Sequence, residues 1–170
     1  MKEFEYIAKD IISNERFLSL KNEPHHGITR YDHIMHVAKC TYKISKRLHL
    51  DYVSATRGAL LHDYFNDSEY DNIKGNMKKG AIHPTFALNN AKKDFILSKK
   101  EENIIASHMF PLGDVKPNCK ESWVVTNVDK SVACYECGLH KWREKIAVMV
   151  IFLINLVDNK SISLLISVII

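Results

Sequence analysis

Several histidines and aspartates in this chain lie beside apolar runs, where a polar side chain is costly to bury without a partner. The clearest case is the stretch GALLHDYFND, in which His62 and Asp63 end a run rich in alanine and leucine. Imidazole nitrogens and carboxylate oxygens bind divalent cations, and the same groups transfer protons in catalysis. The stretch therefore raises the hypothesis of a metal site.

Three more polar residues fall on or beside apolar helix faces. His108 follows Ile104 by four residues, Asp129 follows Val125 by four, and His33 borders the inner face of its own helix. A single inward histidine is usually satisfied by a backbone carbonyl, and a single inward aspartate usually caps a helix. Several such residues on separate helices favour a shared divalent cation, because one ion satisfies them all.

The elements that position these residues are predicted to be helical. Apolar residues recur every three or four positions along most of the chain, and the alternation typical of strands is absent. Helices are predicted over residues 2–13, 14–20, 31–48, 51–64, 83–95, 98–110, 122–137 and 139–157. Loops are predicted over 66–80 and 110–120. We expect an all-α, single-domain helical bundle with the metal site between helices.

Length and composition fit one domain with a core, since the chain has 170 residues of which 46% are hydrophobic. Residues 1–157 are predicted to form the helical domain, with its core at 25–135, and residues 158–170 a hydrophobic C-terminal extension. The apolar runs near the C-terminus are shorter than the roughly 18 to 20 residues of a membrane helix, so membrane contact by the tail is the weaker alternative. The N-terminus lacks the pattern of a secretory signal, which favours a cytoplasmic protein.

Charge and cysteine content narrow the function classes. The net charge of +4 arises from mixed acidic and basic residues, which suits an anionic small molecule and gives no reason to expect nucleic acid as a partner. Four cysteines without a secretory signal are interpreted as free thiols. Cys134 and Cys137 have the spacing of a redox motif, but two ordinary helix cysteines are the favoured interpretation.

The histidines and aspartates occur in the order His33, His62-Asp63, His83, His108, Asp129. This order resembles the HD-domain metal-dependent phosphohydrolase superfamily, whose signature is a histidine, a His-Asp dyad and a distal aspartate on an all-helical bundle. The resemblance covers roughly residues 25–135. It extends to the branch that holds two metals, because His83-Pro84 and His108 match two further histidines of that branch.

The resemblance implies one metal held by His33, His62, Asp63 and Asp129. It implies a second metal held by His83 and His108, with Asp63 bridging the two. The expected cofactors are one or two divalent transition metals, because imidazole-rich sites favour Fe, Mn, Co, Ni or Zn over Mg. Two such ions about 3.5 to 4 Å apart activate water and neutralise phosphoryl charge.

The implied function is a phosphohydrolase that cleaves a small phosphorylated substrate, in the first instance a nucleotide, by attack of metal-bound hydroxide. Two alternatives stay open at this point. The same ligand set in some relatives supports a di-iron oxygenase, and a non-catalytic nucleotide-binding or scaffold protein could keep the fold. The Gly-Tyr-Pro element that marks cyclic di-GMP hydrolysis is absent, which argues against that substrate.

Other candidates surround the ligands. Asp67 follows the dyad where some relatives place a general acid, so Asp63 and Asp67 are the catalytic candidates, with a solvated loop carboxylate as the alternative for Asp67. Lys130 matches a basic residue common in the family after the last aspartate. Lys130, Arg30 and Lys79 are the candidate phosphate contacts, and ordinary surface charge is the alternative for Arg30 and Lys79.

Three further histidines receive weaker interpretations. His25 and His26 lie in a turn that is expected to border the cleft, and His36 is interpreted as core or rim packing.

Overall fold

The computed structural model of the protein describes residues 2–25, 28–70 and 75–136. Within these residues the chain forms seven α-helices, two short 3-10 helices at Leu20–Asn22 and Asp67–Tyr70, and one antiparallel pair of strands. The α-helices are α1 (Lys2–Ile12), α2 (Glu15–Ser19), α3 (Arg30–Arg47), α4 (Tyr52–Leu61), α5 (Asn76–Asp94), α6 (Lys99–Ser107) and α7 (Lys120–Glu136). The strands are β1 (Pro24–His25) and β2 (Ile28–Thr29). The prediction of an all-α bundle is confirmed.

Side-chain caps set the starts of three helices that carry site residues. The Thr29 hydroxyl accepts the backbone N–H of Asp32 at 3.1 Å, at the start of α3. Asp51 accepts the N–H of Ser54 at 3.0 Å, at the start of α4. Ser98 and Glu101 form the predicted capping box of α6. Each cap satisfies a backbone donor that the first helical turn leaves without a partner.

The centre of the fold is α4, which packs against α1, α3, α6 and α7. Ala55, Ala59, Leu60 and Leu61 on this helix are fully buried. Helix α4 approaches α6 closely at Gly58, because a Cβ atom there would lie only 2.5 Å from Cγ2 of Ile104. Small residues on α4 therefore let its neighbours pack closely around it.

The start of α5 was predicted wrongly. This helix begins at Asn76 rather than at residue 83, so Pro84 lies inside the helix instead of in its first turn. An interior proline removes one backbone hydrogen bond, which tertiary packing must offset. The packing is present: His83 stacks on Phe65 with a ring separation of 5.3 Å, and Ala87 is fully buried.

Two shorter features also differ from the sequence prediction. Pro24 pairs with Thr29 and His25 with Ile28 in a small sheet where no strand was expected, and strands of two residues are too short to show an alternating pattern. Helix α4 ends at Leu61 rather than continuing to residue 64, so His62 is its C-cap.

The predicted helix over 139–157, the extension over 158–170, His26 and Cys137 lie outside the described residues. The proposed domain boundaries stay a prediction. Cys40, Cys119 and Cys134 are free thiols, as expected. Across 2–25, 28–70 and 75–136, no helix combines the length and hydropathy needed to cross a membrane.

Candidate metal centre

The six predicted ligands converge from five helices. They occupy the first part of α3 (His33), the residues directly after α4 (His62 and Asp63), the middle of α5 (His83), the residue directly after α6 (His108) and the middle of α7 (Asp129). Each of them is at most 9% exposed. Buried polar groups of this kind need hydrogen-bond partners or a cation, because burial without either is unfavourable.

One group consists of His33, His62 and Asp129. Oδ1 of Asp129 lies 3.1 Å from Nε2 of His33 and 3.5 Å from Nε2 of His62. One ligand atom from each residue lies within 4.8 Å of the others, which is compact enough to surround a single ion.

A second group consists of Asp63, His83 and His108. Oδ1 of Asp63 lies 3.2 Å from Nε2 of His83 and 3.5 Å from Nε2 of His108, and these two nitrogens are 2.7 Å apart. The other oxygen of Asp63, Oδ2, lies 3.8 Å from Nε2 of His62. The carboxylate of Asp63 therefore lies between the two groups, with one oxygen towards each.

Helix ends orient two of the imidazoles. The Nδ1–H of His62 donates to the carbonyl of Ala59 at 2.7 Å, and the Nδ1–H of His108 donates to the carbonyl of Ile105 at 2.8 Å. Both carbonyls belong to the last turn of a helix, where backbone acceptors have no partner within the helix. Because a carbonyl only accepts, Nδ1 carries the proton in both rings and Nε2 is free to bind a cation.

Two buried atoms in the centre fit a divalent cation. Nε2 of His62 and Oδ1 of Asp63 have less than 1 Å² of exposed surface, and neither makes a hydrogen bond of acceptable geometry within the described part of the chain. An imidazole nitrogen with a lone pair and a carboxylate oxygen are both ligands for transition metals. The residues present thus suit a metal centre with mixed nitrogen and oxygen ligands.

The electrostatics of the centre favour ionised carboxylates. Burial acts to raise the pKa of Asp63, but the neighbouring His62, His83 and His108 hold this pKa well below its usual range. Asp129 behaves in the same way, because the neighbouring His33 and His62 outweigh burial and lower its pKa. Both carboxylates are therefore in the protonation state that a metal ligand requires.

The pKa values of two imidazoles in the centre shift in opposite directions. Burial is the main cause of the lowered pKa of His108, so this ring is neutral at neutral pH. For His33, burial is outweighed by Asp129, Asp63 and Glu136, which raise the pKa to about 9.

Sequence reasoning missed Glu136 as a residue of this region. Its Oε2 lies 2.6 Å from Nδ1 of His33, and its Oε1 lies 2.8 Å from Nδ1 of His36. Helical register could have identified it, because Glu136 follows Asp129 by seven residues and therefore lies on the same face of α7.

His25 borders the cleft, as expected. Its Nε2 lies 3.9 Å from Oδ2 of Asp63, and its ring is 4.6 Å from the ring of His33. Ligand atoms of His25, His33 and Asp63 form a third compact group. His33 also belongs to the first group described above, and Asp63 to the second. His25 is thus a second residue that the predicted ligand set did not contain.

Two of the other candidates contact each other. The guanidinium of Arg30 donates to Oδ1 of Asp67 at 2.7 Å and to the carbonyl of Phe65 at 2.9 Å. The side chain of Arg30 is buried, whereas that of Asp67 is 48% exposed. Arg30 thus links the start of α3 to the segment that follows the His-Asp dyad.

The two candidate lysines also lie next to ligands. Nζ of Lys130 donates to the carbonyl of His108 at 2.9 Å, and burial lowers its pKa. Lys79 is half-buried on α5, and its backbone carbonyl accepts the ring Nδ1–H of His83 at 3.3 Å. The proposed roles of Asp67, Arg30, Lys79 and Lys130 in catalysis and substrate binding stay predictions.

Comparison with known proteins agrees with this geometry. A protein-family model described as the HD domain matches residues 30–133, which is more than half of the chain and includes all six candidate ligands. Neither the search of curated proteins nor the search of solved structures gave a match. Members of the matched family are in general metal-dependent phosphohydrolases. The chain therefore belongs to the HD domain family.

Proposed function

We propose that the protein is a metal-dependent phosphohydrolase that cleaves a small phosphorylated molecule, and that nucleotides are the substrate class to test first. One observation carries the proposal: two buried His/Asp groups lie side by side, and the carboxylate of Asp63 lies between them. Membership of the HD domain family supports the reaction class.

The proposed ligand sets follow the two groups. His33, His62, Asp63 and Asp129 would hold one divalent cation, and Asp63, His83 and His108 would hold the other, with Fe, Mn, Co, Ni or Zn as candidates. Cations bound there would activate water and offset the negative charge of the phosphoryl oxygens.

The protein's own residues would prepare this site. The carbonyls of Ala59 and Ile105 keep Nε2 of His62 and His108 directed into the centre, and the lowered pKa of Asp63 keeps its carboxylate ionised. No covalent nucleophile is part of the proposal.

Contacts of the basic residues bear on substrate binding. Arg30 and Lys130 already donate to protein acceptors, so a substrate phosphate would have to replace those acceptors to bind either side chain. Lys79 is a third candidate for a phosphate contact, and Asp67 is the proposed proton donor to the leaving group.

The test is a phosphatase screen of the purified full chain, reconstituted separately with Mn, Co, Ni, Fe and Zn. Nucleotides and sugar phosphates form the panel, phosphate release is the readout, and oxygen consumption is followed in parallel. We expect metal-dependent phosphate release without oxygen consumption, and its loss in Asp63→Asn. Glu121→Gln, which alters an equally buried carboxylate on α7 outside the centre, serves as the matched control.

Two outcomes would contradict the proposal and support one of the alternative functions. Oxygen consumption by the iron-loaded protein without phosphate release would indicate an oxygenase. Metal-loaded protein that releases no phosphate from any member of the panel and consumes no oxygen would indicate a non-catalytic binding protein.

A further inference from the structure

Glu136 lies at the end of α7, and its side chain is only 3% exposed. Its two carboxylate oxygens contact two different imidazoles of α3. Oε2 lies 2.6 Å from Nδ1 of His33, and Oε1 lies 2.8 Å from Nδ1 of His36. Because the carboxylate is buried and held at both oxygens, its position relative to His33 is well defined.

The acceptor behind His33 differs in kind from those behind the other imidazoles. Nδ1 of His62, His83 and His108 each faces a backbone carbonyl, at 2.7, 3.3 and 2.8 Å respectively. Nδ1 of His33 faces a carboxylate instead. A carboxylate is a stronger acceptor than a neutral carbonyl, and it increases the electron density available at the opposite ring nitrogen.

Helix α7 contacts both nitrogens of the His33 ring. Asp129 faces Nε2 at 3.1 Å and Glu136 faces Nδ1 at 2.6 Å, and these two acidic residues are seven positions apart on the same helix. Rotation of the ring about its χ2 angle would break both contacts at once. The orientation of His33 is therefore determined by the packing of α7 against α3.

We propose that Glu136 is a positioning residue, which orients His33 and strengthens metal binding by the group His33, His62 and Asp129. The inference rests on the metal centre of the proposed function. It predicts that the two groups differ in their dependence on this residue, since Asp63, His83 and His108 make no hydrogen bond to Glu136.

The test is a titration of metal-free full-length protein with Zn²⁺, in Glu136→Ala, Glu136→Gln and wild type. We expect Glu136→Ala to weaken one of two binding events by about 10- to 100-fold, the range typical of partners that orient metal ligands, and to leave the other unchanged. Glu136→Gln should lose less Zn²⁺ affinity than Glu136→Ala, because its amide oxygen still accepts the Nδ1–H of His33.

Two variants serve as controls. Glu121→Gln changes another buried glutamate of α7, which accepts the backbone N–H of Asp51 at 3.0 Å and does not contact the centre. His36→Gln removes only the exposed partner of Glu136. Glu121→Gln should leave the Zn²⁺ affinities within a few-fold of wild type, whereas His36→Gln should weaken the same binding event as Glu136→Ala, but by less.

A second readout follows the ring itself. In the NMR spectrum of the Zn²⁺-loaded wild type, the Nδ1–H proton of His33 should resonate far downfield, as expected for a short hydrogen bond to a carboxylate. This resonance should be lost in Glu136→Ala and retained in Glu121→Gln. A purely structural role for Glu136 would not move it selectively.

The inference is wrong if Glu136→Ala binds Zn²⁺ with wild-type affinity, or if Glu121→Gln weakens binding equally. Failure of the proposed function gives a different result. If Glu136→Ala selectively weakens one Zn²⁺ binding event in a protein that releases no phosphate, the inference holds. Only the proposed phosphohydrolase activity is then contradicted.

Discussion

At the scale of single residues, the two nitrogens of each imidazole in the centre have separate tasks. Nε2 points to the cluster, while Nδ1 donates to an acceptor that holds the ring. The acceptor is a helix-end carbonyl for His62 and His108 and a carboxylate for His33. The ligands are thus orientated by the protein before any cation binds, which reduces the reorganisation that binding requires.

Asp63 is the residue on which both groups depend. Asp63→Ala should abolish metal binding and phosphate release, because it removes an oxygen ligand from each group together with the negative charge that attracts a cation to both. Metal content by mass spectrometry checks the first effect, and circular dichroism should still show a helical protein. Normal metal stoichiometry in this variant would contradict the proposed role of Asp63 as a ligand shared by both groups.

His83 belongs to only one group. His83→Ala should therefore reduce two bound metals towards one, and His36→Ala, which removes an exposed imidazole, should leave two. Metal-to-protein ratios of both variants after dialysis provide the measurement. An unchanged ratio in His83→Ala would support a site with a single metal.

At the scale of helices, the centre depends on close packing between α4 and α6. The residues that end these two helices, His62 and His108, face each other with ring centres 4.9 Å apart. The approach is possible because Gly58 has no side chain where Ile104 packs. A larger residue at position 58 would move the two histidines apart.

Gly58→Ala should destabilise the protein by about 1 to 3 kcal/mol, because the new Cβ would overlap Ile104. Ile104→Ala alone should also destabilise it, by about 2 to 5 kcal/mol, because it leaves a cavity. The double variant should lose less stability than the sum of the two single losses, since the alanine at 104 removes the closest overlapping atom. Urea unfolding of the four proteins measures this coupling, and strictly additive losses would contradict the packing argument.

Helix α1 is attached to α3 and α4 through Glu3. Its carboxylate contacts Lys46 and accepts hydrogen bonds from Tyr42 at 2.6 Å and Tyr52 at 2.9 Å. The hydrogen bond with Lys46, followed by those from the two tyrosines, lowers the pKa of Glu3 from 4.5 to about 2. The bonds form on the molecular surface, so salt should weaken the ion pair.

The sign of the pH dependence follows from this lowered pKa. The contribution of Glu3 to stability is present above pH 4.5 and is lost as the pH falls towards 2. Glu3→Gln should therefore be less stable than wild type at pH 7, and the difference should shrink between pH 4.5 and pH 2. Thermal unfolding of both proteins across this range is the measurement, and a difference independent of pH would contradict the assignment.

At the scale of the whole molecule, all six candidate ligands lie between residues 33 and 129, within the region that matches the HD domain. A chain ending at residue 157 should therefore keep the metal stoichiometry and helical spectrum of the full chain. Loss of metal binding on removal of residues 158–170 would show that the extension belongs to the domain.

Much of the fold was predictable because its signals are local. The helical spacing and the caps at Asp51 and Ser98 depend on residues three or four positions apart, and the structure confirms both caps. The beginning of α5 was not predictable in this way. Its first turns precede a proline, and packing of His83 and Ala87 decides that the helix continues through it.

The side chains that can bind a metal were predictable without coordinates, because residue type and helical register place His33, His62, His108 and Asp129 on inner faces. The contacts that hold these side chains depend on tertiary packing. Glu136 reaches His33 across 103 positions, and Arg30 reaches Asp67 across 37. Helical periodicity reports which face a residue lies on. It does not report which residue of a distant helix meets it, because that depends on how the helices pack.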